Sequence, residues 1–212
     1  TGCTYTDDQL LAIANVARKY KLILLSDEIY GEVHFEGKHK SIARYYPEGT
    51  IISTGLSKWA GAGGWRLGTF IFPKELRPLL DAMAIIASET FTSTSAPIQY
   101  AAISAFEGGE DIDHYQVQYR RVLKVIGEYV HQRRTDMGAV VQKPEGAFYL
   151  FPKSPKDDEL VFVNWLKDRG VLVVPGRGFG GPGYFRISYC IPMEVIERSM
   201  PAFSDAAREF GL

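Results

Sequence analysis

The hydrophobic pattern of the first half of the chain alternates between amphipathic segments and short, continuous apolar runs. Thr6 to Gln9 has the form of a capping box. Apolar positions behind it recur at i, i+3, i+4 and i+7, which predicts a helix ending near Lys19. Three apolar runs predict buried strands, and two helices follow them. The strands are expected at 22–25, 50–54 and 67–72, and the helices at 73–88 and 97–108.

A long periodic segment from Asp111 to about Arg134 precedes the shorter elements of the second half. Its apolar stripe is typical of a helix face that packs into a core; the stripe contains Tyr115, Tyr119, Val122, Ile126, Tyr129 and Val130. Beyond it, strands are predicted at 139–143, 147–151 and 171–174, and helices at 157–169 and 193–210, with a break or kink at Pro201. Residues 184–190 alternate strictly, so that Phe185, Ile187 and Tyr189 share one face of a strand.

Composition excludes several classes of function. Hydrophobic residues make up 46% of the chain and aromatic residues 13%, which supports a packed core and excludes disorder. The net charge of -1 gives no electrostatic reason to expect nucleic acid or an anionic membrane as a partner. No apolar run approaches the roughly 18 residues of a membrane span, and no signal-peptide pattern opens the chain.

The cysteines and histidines do not indicate a metal site. Cys3 and Cys190 have neither metal-ligand spacing nor the arrangement of a disulfide framework, so a reducing, cytoplasmic setting is the default. His34 and His39 lie five residues apart in a polar, irregular segment. Without a carboxylate partner, such a pair is more typical of a surface loop than of a metal site.

The strongest chemical signal is the stretch Ser53 to Gly68, S-T-G-L-S-K-W-A-G-A-G-G-W-R-L-G. Lys58 lies in this glycine-rich turn, and Arg66 follows eight residues later. Lysine is the usual residue for Schiff-base formation with an aldehyde, and arginine suits a phosphate. Small residues let a bulky ligand approach the backbone. The pattern favours an aldehyde-bearing, phosphorylated cofactor such as pyridoxal phosphate; a glycine-rich surface loop is the alternative.

The segment Asp27-Glu28-Ile29-Tyr30 strengthens the cofactor interpretation. It directly follows an apolar run and precedes Lys58 by thirty-one residues. Ligands of open α/β sheets bind beyond the carboxyl ends of the strands. The nucleotide phosphate loop is excluded, because G-x-x-x-x-G-K-[ST] does not occur.

With these residues in view, the chain resembles the class I and II pyridoxal-phosphate aminotransferases of fold type I, the aspartate aminotransferase superfamily. Thr1-Gly2 with Tyr5-Thr6 is similar to part of the family's N-P-x-x-T-G…Y-T segment. Five motifs in family order carry the resemblance over nearly all 212 residues: S-D-E-I-Y (26–30), G-L-S-K…G-W-R-L-G (55–68), G-A-F-Y (146–149), P-G-x-x-F-G (175–180) and F-R-I-S (185–188).

The resemblance implies an α/β fold in two parts. Residues 1–118 would be the C-terminal part of a cofactor-binding large domain, a mainly parallel sheet with helices on both faces. Residues 119–212 would be an α+β small domain, and the long helix would join the two. Against the family pattern the chain begins in mid-domain, so we expect a processed, proteolysed or shortened product that is inactive alone and binds cofactor poorly.

The resemblance also implies roles for five residues. Lys58 would hold the cofactor aldehyde and later move a proton to or from the substrate, with a pKa lowered by burial and by Arg66. Asp27 would pair with the pyridine nitrogen, and Tyr30 would donate to the phenolic oxygen. Arg66 would bind the phosphate, and Arg186 the substrate α-carboxylate. No metal is implied.

Each residue also has an ordinary structural interpretation. Asp27 could be a turn aspartate, Tyr30 a packing residue, and Arg186 a surface ion-pair residue. Family members often place a phosphate-binding serine three residues before the lysine, where this chain has Gly55.

The function implied for the full-length protein is transfer of an amino group between an L-amino acid and a 2-oxo acid, in a cytoplasmic homodimer with no nucleic acid or membrane partner. Two alternatives stay open. Pyridoxal-phosphate-dependent C–S lyases use the same scaffold and residues. Some transcription regulators carry an aminotransferase-like effector domain behind a DNA-binding module.

Overall fold

Helices and short strands alternate along residues 2–211, which are the residues that the computed structural model describes. The helices are α1 (Asp7–Tyr20), α2 (Arg77–Thr90), α3 (Ala96–Glu107), α4 (Glu110–Asp136), α5 (Glu159–Lys167) and α6 (Met193–Phe210). The strands are β1 (Leu24–Asp27), β2 (Thr50–Gly55), β3 (Gly68–Ile71), β4 (Tyr149–Leu150), β5 (Val174–Pro175) and β6 (Phe185–Ser188). The predicted α/β class is confirmed. Thr1, part of the family-like opening segment, lies outside the described residues.

The chain forms two compact units. One comprises Tyr5–Tyr119, and the other comprises Thr1–Thr4 with Arg120–Leu212. Helix α4 therefore runs from one unit into the other. The predicted division at 118/119 had placed residues 1–4 with the first part of the chain. That the units are a large cofactor-binding domain and a small domain stays a prediction.

The first unit contains a three-stranded sheet in the order β1-β2-β3. Strand β1 runs parallel to β2, with Asp27 opposite Ser53, whereas β3 pairs antiparallel to β2, with Gly68 opposite Gly55. The three predicted strands are present, but β1 begins two residues later than expected. The expected burial of β1 is wrong, because its side chains alternate between half-buried and exposed and Leu25 is 64% exposed. The expected burial of β3 is wrong as well, because Phe70 and Ile71 are exposed.

Helix α1 begins where the sequence predicts. The Thr6 hydroxyl accepts a hydrogen bond from the Gln9 backbone N–H, and the Gln9 side chain accepts one from the Thr6 N–H, which completes the capping box. Lys21 ends the helix in the left-handed conformation, at φ 52°. Ala14 and Ala17 are buried against Tyr46, which fixes one face of the helix.

The second unit contains an antiparallel sheet in the order β4-β6-β5. The predicted alternation of β6 is confirmed, since Phe185, Ile187 and Tyr189 are buried. The predicted strand at 139–143 is wrong. That segment is not a strand, although the Lys153 N–H bonds to the carbonyl of Val140 (3.0 Å). Of the break or kink predicted at Pro201, the break is wrong, because α6 passes Pro201 as one helix.

The buried face of α4 differs from the predicted stripe. Its buried positions are Leu123, Gly127, Val130 and Arg134, whereas Tyr115 and Val122 are exposed. The reason is the partner that packs there. The ring of Tyr189 lies so close to Gly127 that a Cβ on this residue would be 2.9 Å from it. Periodicity predicted the helix correctly but not the face that is buried.

Two kinds of feature are absent from residues 2–211. None of the helices in this range is long and apolar enough to cross a membrane. Within the same range, no group of three or more His, Cys, Asp or Glu side chains is placed to hold a metal ion.

Candidate functional site

The carboxyl ends of β1 and β2 place two of the predicted site residues at one edge of the first sheet. Asp27 is the last residue of β1 and lies opposite Ser53 in parallel register. Strand β2 continues to Gly55, and the chain then turns through Lys58. Because β1 and β2 are parallel, Asp27 and the Lys58 turn follow strand ends at the same edge, where α/β sheets bind ligands.

Asp27 is held by its own turn. Its Oδ1 accepts a hydrogen bond from the Ile29 N–H at 3.2 Å, the geometry of an Asx turn. The side chain is exposed, and no ion pair to it is found among residues 2–211. The turn therefore fixes the carboxylate and leaves Oδ2 available to a ligand.

Lys58 and Tyr30 are brought together. The Lys58 Nζ lies 5.5 Å from the centroid of the Tyr30 ring, within the range of a cation–π contact. Both side chains are half-buried. The turn that carries Lys58 is anchored by the buried side chains of Leu56 and Trp59, and its backbone is closed by a hydrogen bond from the Ala62 N–H to the Leu56 carbonyl at 3.2 Å.

Arg66 ends a short 3₁₀ turn, Gly63–Trp65, in the left-handed conformation (φ 54°). Its Nη1 donates to the Gly63 carbonyl at 2.9 Å, and the side chain is otherwise exposed. A non-glycine residue is uncommon at positive φ. The carbonyl contact holds the guanidinium beside its own turn, where other N–H donors are left for an anion.

Gly55 stands where family members often have a phosphate-binding serine, and this difference has a steric cause. A Cβ at Gly55 would lie 2.6 Å from the carbonyl oxygen of Leu67 and 3.1 Å from the Cα of Gly68. The close antiparallel approach of β3 therefore excludes a serine side chain on this backbone. By contrast, a Cβ at Gly64 would meet no atom within 4 Å.

The donor set matches pyridoxal phosphate in kind. An amine suits the cofactor's aldehyde, and a carboxylate suits its pyridine nitrogen. A phenol suits its phenolic oxygen, and a guanidinium suits its phosphate. Of the four side chains, Lys58 and Tyr30 are in contact, while Asp27 lies at the same sheet edge. Arg66 follows on the next turn.

Beside Asp27, a polar cluster surrounds the half-buried Glu28. Its carboxylate accepts hydrogen bonds from Ser26 Oγ (3.0 Å) and Ser41 Oγ (2.8 Å), and its Oε2 lies 2.7 Å from His39 Nε2. Burial opposes ionisation of Glu28, but these hydrogen bonds outweigh it and lower its pKa. The hydrogen bond between Glu28 and His39 also raises the pKa of His39. The expectation that His39 lacks a carboxylate partner is therefore wrong.

Arg186 lies in the second unit, on β6, and is half-buried. Its guanidinium carbon is 4.3 Å from the centroid of the Tyr149 ring and 4.1 Å from that of Phe179. Two aromatic faces thus hold the planar group, which limits its orientations. Tyr149 and Phe179 had no predicted role, although both belong to the family-like motifs at 146–149 and 175–180.

A buried carboxylate supports the loop that carries Phe179. Glu159 is fully buried and accepts hydrogen bonds from the Arg177 N–H (3.1 Å), Arg177 Nε (2.8 Å) and the Gly183 N–H (3.0 Å). These bonds, led by that from the Arg177 side chain, lower the pKa of Glu159 to about 2. This pair was not predicted, because nothing about a glutamate at the start of a helix indicates a partner eighteen residues away in the sequence.

Comparison with known proteins identifies the family of the chain. Residues 1–203 match the family model of the class I and II aminotransferases. The chain is 34% identical over 208 residues to a probable N-acetyl-LL-diaminopimelate aminotransferase of Bacillus subtilis, covering 94% of this chain and 51% of that protein. It is 33% identical over 214 residues to the aspartate aminotransferase of Geobacillus stearothermophilus, covering 94% of this chain and 53% of that protein.

A solved structure of aspartate aminotransferase from Thermus thermophilus with maleate superimposes with a TM-score of 0.91 at 31% identity, covering 97% of this chain and 53% of that one. The chain spans about half the length of the relatives it matches. The family match over 203 residues and the shared fold lead to one conclusion: the chain belongs to the class I and II aminotransferases.

Proposed function

We propose that the protein is an aminotransferase that uses pyridoxal phosphate to move an amino group between an L-amino acid and a 2-oxo acid. The observation that carries this proposal is the edge of the first sheet. There a chain of this family places an amine, a phenol and a carboxylate, from Lys58, Tyr30 and Asp27. Pyridoxal phosphate, when bound, supplies an electron-withdrawing ring that stabilises negative charge at the substrate α-carbon.

The side chains of the first unit would hold the cofactor. The Lys58 amine would attach it through the aldehyde and, once released, carry the proton to and from the substrate α-carbon. The Asp27 carboxylate would keep a proton on the pyridine nitrogen, and the Tyr30 hydroxyl would donate to the phenolic oxygen. The Arg66 guanidinium would bind the phosphate.

Arg186 would bind the α-carboxylate of the substrate. The rings of Tyr149 and Phe179 fix the plane of its guanidinium, which suits a bidentate pair with a carboxylate. The Glu159–Arg177 pair supports this role indirectly, because it holds the loop that carries Phe179.

The relatives name the substrate class. They include transaminases for aspartate, asparagine, prephenate and N-acetyl-LL-diaminopimelate. What these share is an amino group exchanged beside a carboxylate, so we infer a role in amino acid metabolism, including biosynthesis. A cytoplasmic homodimer, with residues 1–118 as part of the large domain and 119–212 as the small domain, completes the proposal. These names favour transamination over C–S lyase chemistry and over a regulator's effector domain.

Chemical trapping tests the assignment of Lys58. Borohydride reduction of the cofactor-bound full-length protein, in which the residues of this chain keep their numbers, should fix the label on this lysine, and peptide mapping should find it in the peptide around 58. K58A should abolish labelling and amino transfer, while the exposed control K38A should preserve both. A label on Lys38 or Lys74 would contradict the assignment, and persistence of activity in K58A would contradict the mechanism.

A further inference from the structure

The unit that contains Arg120–Leu212 has a cavity of about 520 Å³. Helices α4 and α6, the end of β6 and the segment after α5 form its walls. Three arginines line it, Arg134, Arg169 and Arg198, and no lining residue is acidic. The rest of the lining is largely apolar, with Val130, Ile187 and Phe203 among it. This cavity uses none of the five residues proposed for amino transfer.

Arg134 is the unusual member of this set. Its side chain is only 3% exposed, and its guanidinium carbon lies 3.1 Å from the centroid of the Phe203 ring. Its Nη1 is 3.8 Å from the Met137 sulfur, while the buried Nε has no hydrogen-bond partner among residues 2–211. Over the same residues, no carboxylate pairs with it. Burial, followed by the charge of Arg133, lowers the pKa of Arg134 to about 9.

An arrangement of this kind costs stability. At neutral pH Arg134 still carries its charge, and a buried charge without a partner is unfavourable. The stacked ring contributes a cation–π contact but accepts none of the five N–H donors. The fold gains little from this arginine that an apolar side chain of similar length would not supply.

A single water does not account for the arrangement. Arg134 also borders a void of about 20 Å³ beside Met137 and Phe203, which is room for one water. That water could accept one N–H but would leave the charge uncompensated. The larger cavity adds two further arginines, exposed Arg169 and Arg198, and still no carboxylate.

We propose that this cavity binds a small organic carboxylate with an apolar body, with Arg134 as its anchor. A carboxylate matches the planar fork of the guanidinium, and the apolar walls match the body. Arg169 and Arg198 at the rim add attraction for an anion. Inorganic phosphate fits less well, because a small, strongly hydrated dianion would leave the apolar walls uncovered.

The cavity is separate from the substrate site proposed for Arg186. Ile187 and Ser188 of β6 line the cavity, whereas Arg186 and the rings that hold it, Tyr149 and Phe179, are not among its lining residues. Burial agrees with this, since Ile187 is buried whereas Arg186 is half-exposed and held by Tyr149 and Phe179. Binding in the cavity is therefore an additional property of the chain and does not depend on the proposed amino transfer.

Calorimetric titration with phenylacetate tests the proposal, with neutral phenylacetamide of the same shape as the control ligand. Phenylacetate should bind the wild-type chain, and phenylacetamide should not. R134M should weaken phenylacetate binding at least ten-fold. The matched variant R133M, which alters the exposed neighbour outside the cavity, should leave binding unchanged. Equal binding of both ligands, or binding that survives R134M, would overturn the proposal.

Thermal unfolding supplies an independent readout. Without ligand, R134M should unfold at the same or a higher temperature than the wild type, because it removes an unpaired buried charge. Phenylacetate should raise the melting temperature of the wild type only. A lower melting temperature for R134M, together with no phenylacetate binding to the wild type, would show Arg134 to be a structural residue. Binding of inorganic phosphate in place of phenylacetate would equally refute the carboxylate assignment.

If R134M does not fold, V195W replaces it. Val195 lines the cavity from an accessible position in α6, so tryptophan there should fill the cavity without removing Arg134. Phenylacetate should then fail to bind a folded protein. Unchanged binding in V195W would refute the proposed location.

Discussion

Four arginines of this chain show how the surroundings decide what one residue type can do. Arg66 is exposed and bonded to its own turn, which suits a phosphate at the open side. Arg186 lies between two rings, which suits a planar carboxylate. Arg177 has carboxylate partners in Asp158 and Glu159, so its charge serves the fold. Arg134 is buried, and its Nε has no hydrogen-bond partner among residues 2–211, which is why it carries the proposal of a second site.

Replacing Arg186 by alanine should impair the substrate step and spare the cofactor. Losing a charge-assisted pair with the α-carboxylate costs roughly 2–4 kcal/mol, so kcat/KM should fall steeply in R186A. Steady-state kinetics of the full-length protein with a panel of amino acids measures this, and the cofactor absorbance band of R186A should be intact. R208A, which removes an exposed arginine of α6, is the control. Loss of bound cofactor in R186A would show that Arg186 serves the cofactor instead.

Glu159 should make the stability of the second unit pH-dependent. Because its pKa falls from 4.5 to about 2 on folding, its contribution is complete above pH 4.5 and is lost as pH falls from there towards 2. E159Q should lower the free energy of unfolding at pH 7 and flatten the decline below pH 4.5. Urea unfolding at pH 7, 4.5 and 3 measures both effects, with the exposed D157N as control. If the free energy of unfolding changed with pH in the same way in E159Q and in the wild type, this account would be contradicted.

At the scale of elements, sequence patterns correctly predicted the features that depend on nearby residues, namely where a helix starts and which face of a strand is buried. The capping box of Thr6 and Gln9 set the start of α1, and strict alternation set the faces of β6. Both depend on neighbours within a few residues. The expected strand at 139–143 failed because its apolar residues have the composition of a strand but no ladder partner in the structure.

The errors on α4 and β1 have a different origin. The buried face of α4 is the one that contacts Tyr189, which lies sixty-two residues beyond Gly127 in the sequence. The spacing of apolar residues along α4 does not indicate that contact. The run ending at Leu25 was expected to be buried because it is apolar throughout, yet burial requires elements on both sides of the strand. The motifs located Lys58, Tyr30 and Asp27 correctly at one edge, since their positions follow from strand ends. They did not predict the rings around Arg186 or the burial of Arg134.

For the whole molecule, the distribution of exposed apolar residues is uneven. No residue of α2 is buried, and its Ile85 and Ile86 are 67% and 63% exposed. Tyr100 of α3 is 75% exposed, and Leu25 adds an apolar side chain on β1. Contiguous exposed apolar surface marks interaction sites in soluble proteins, and an open strand edge pairs with other chains. The first unit therefore has the character of an interface.

We expect the chain to self-associate through this surface. Analytical ultracentrifugation should show a weight-average mass that rises with concentration above that of the 23.7 kDa monomer. I86E should shift the association to higher concentrations, because it places a charge where apolar area would be buried. V140E, a change of the same kind at an exposed valine of the second unit, should have no such effect, and circular dichroism should confirm that both variants are folded. A monodisperse monomer at about 100 µM, which lies within the micromolar-to-millimolar range in which exposed strand edges drive aggregation, would contradict self-association. Equal effects of I86E and V140E would contradict the location.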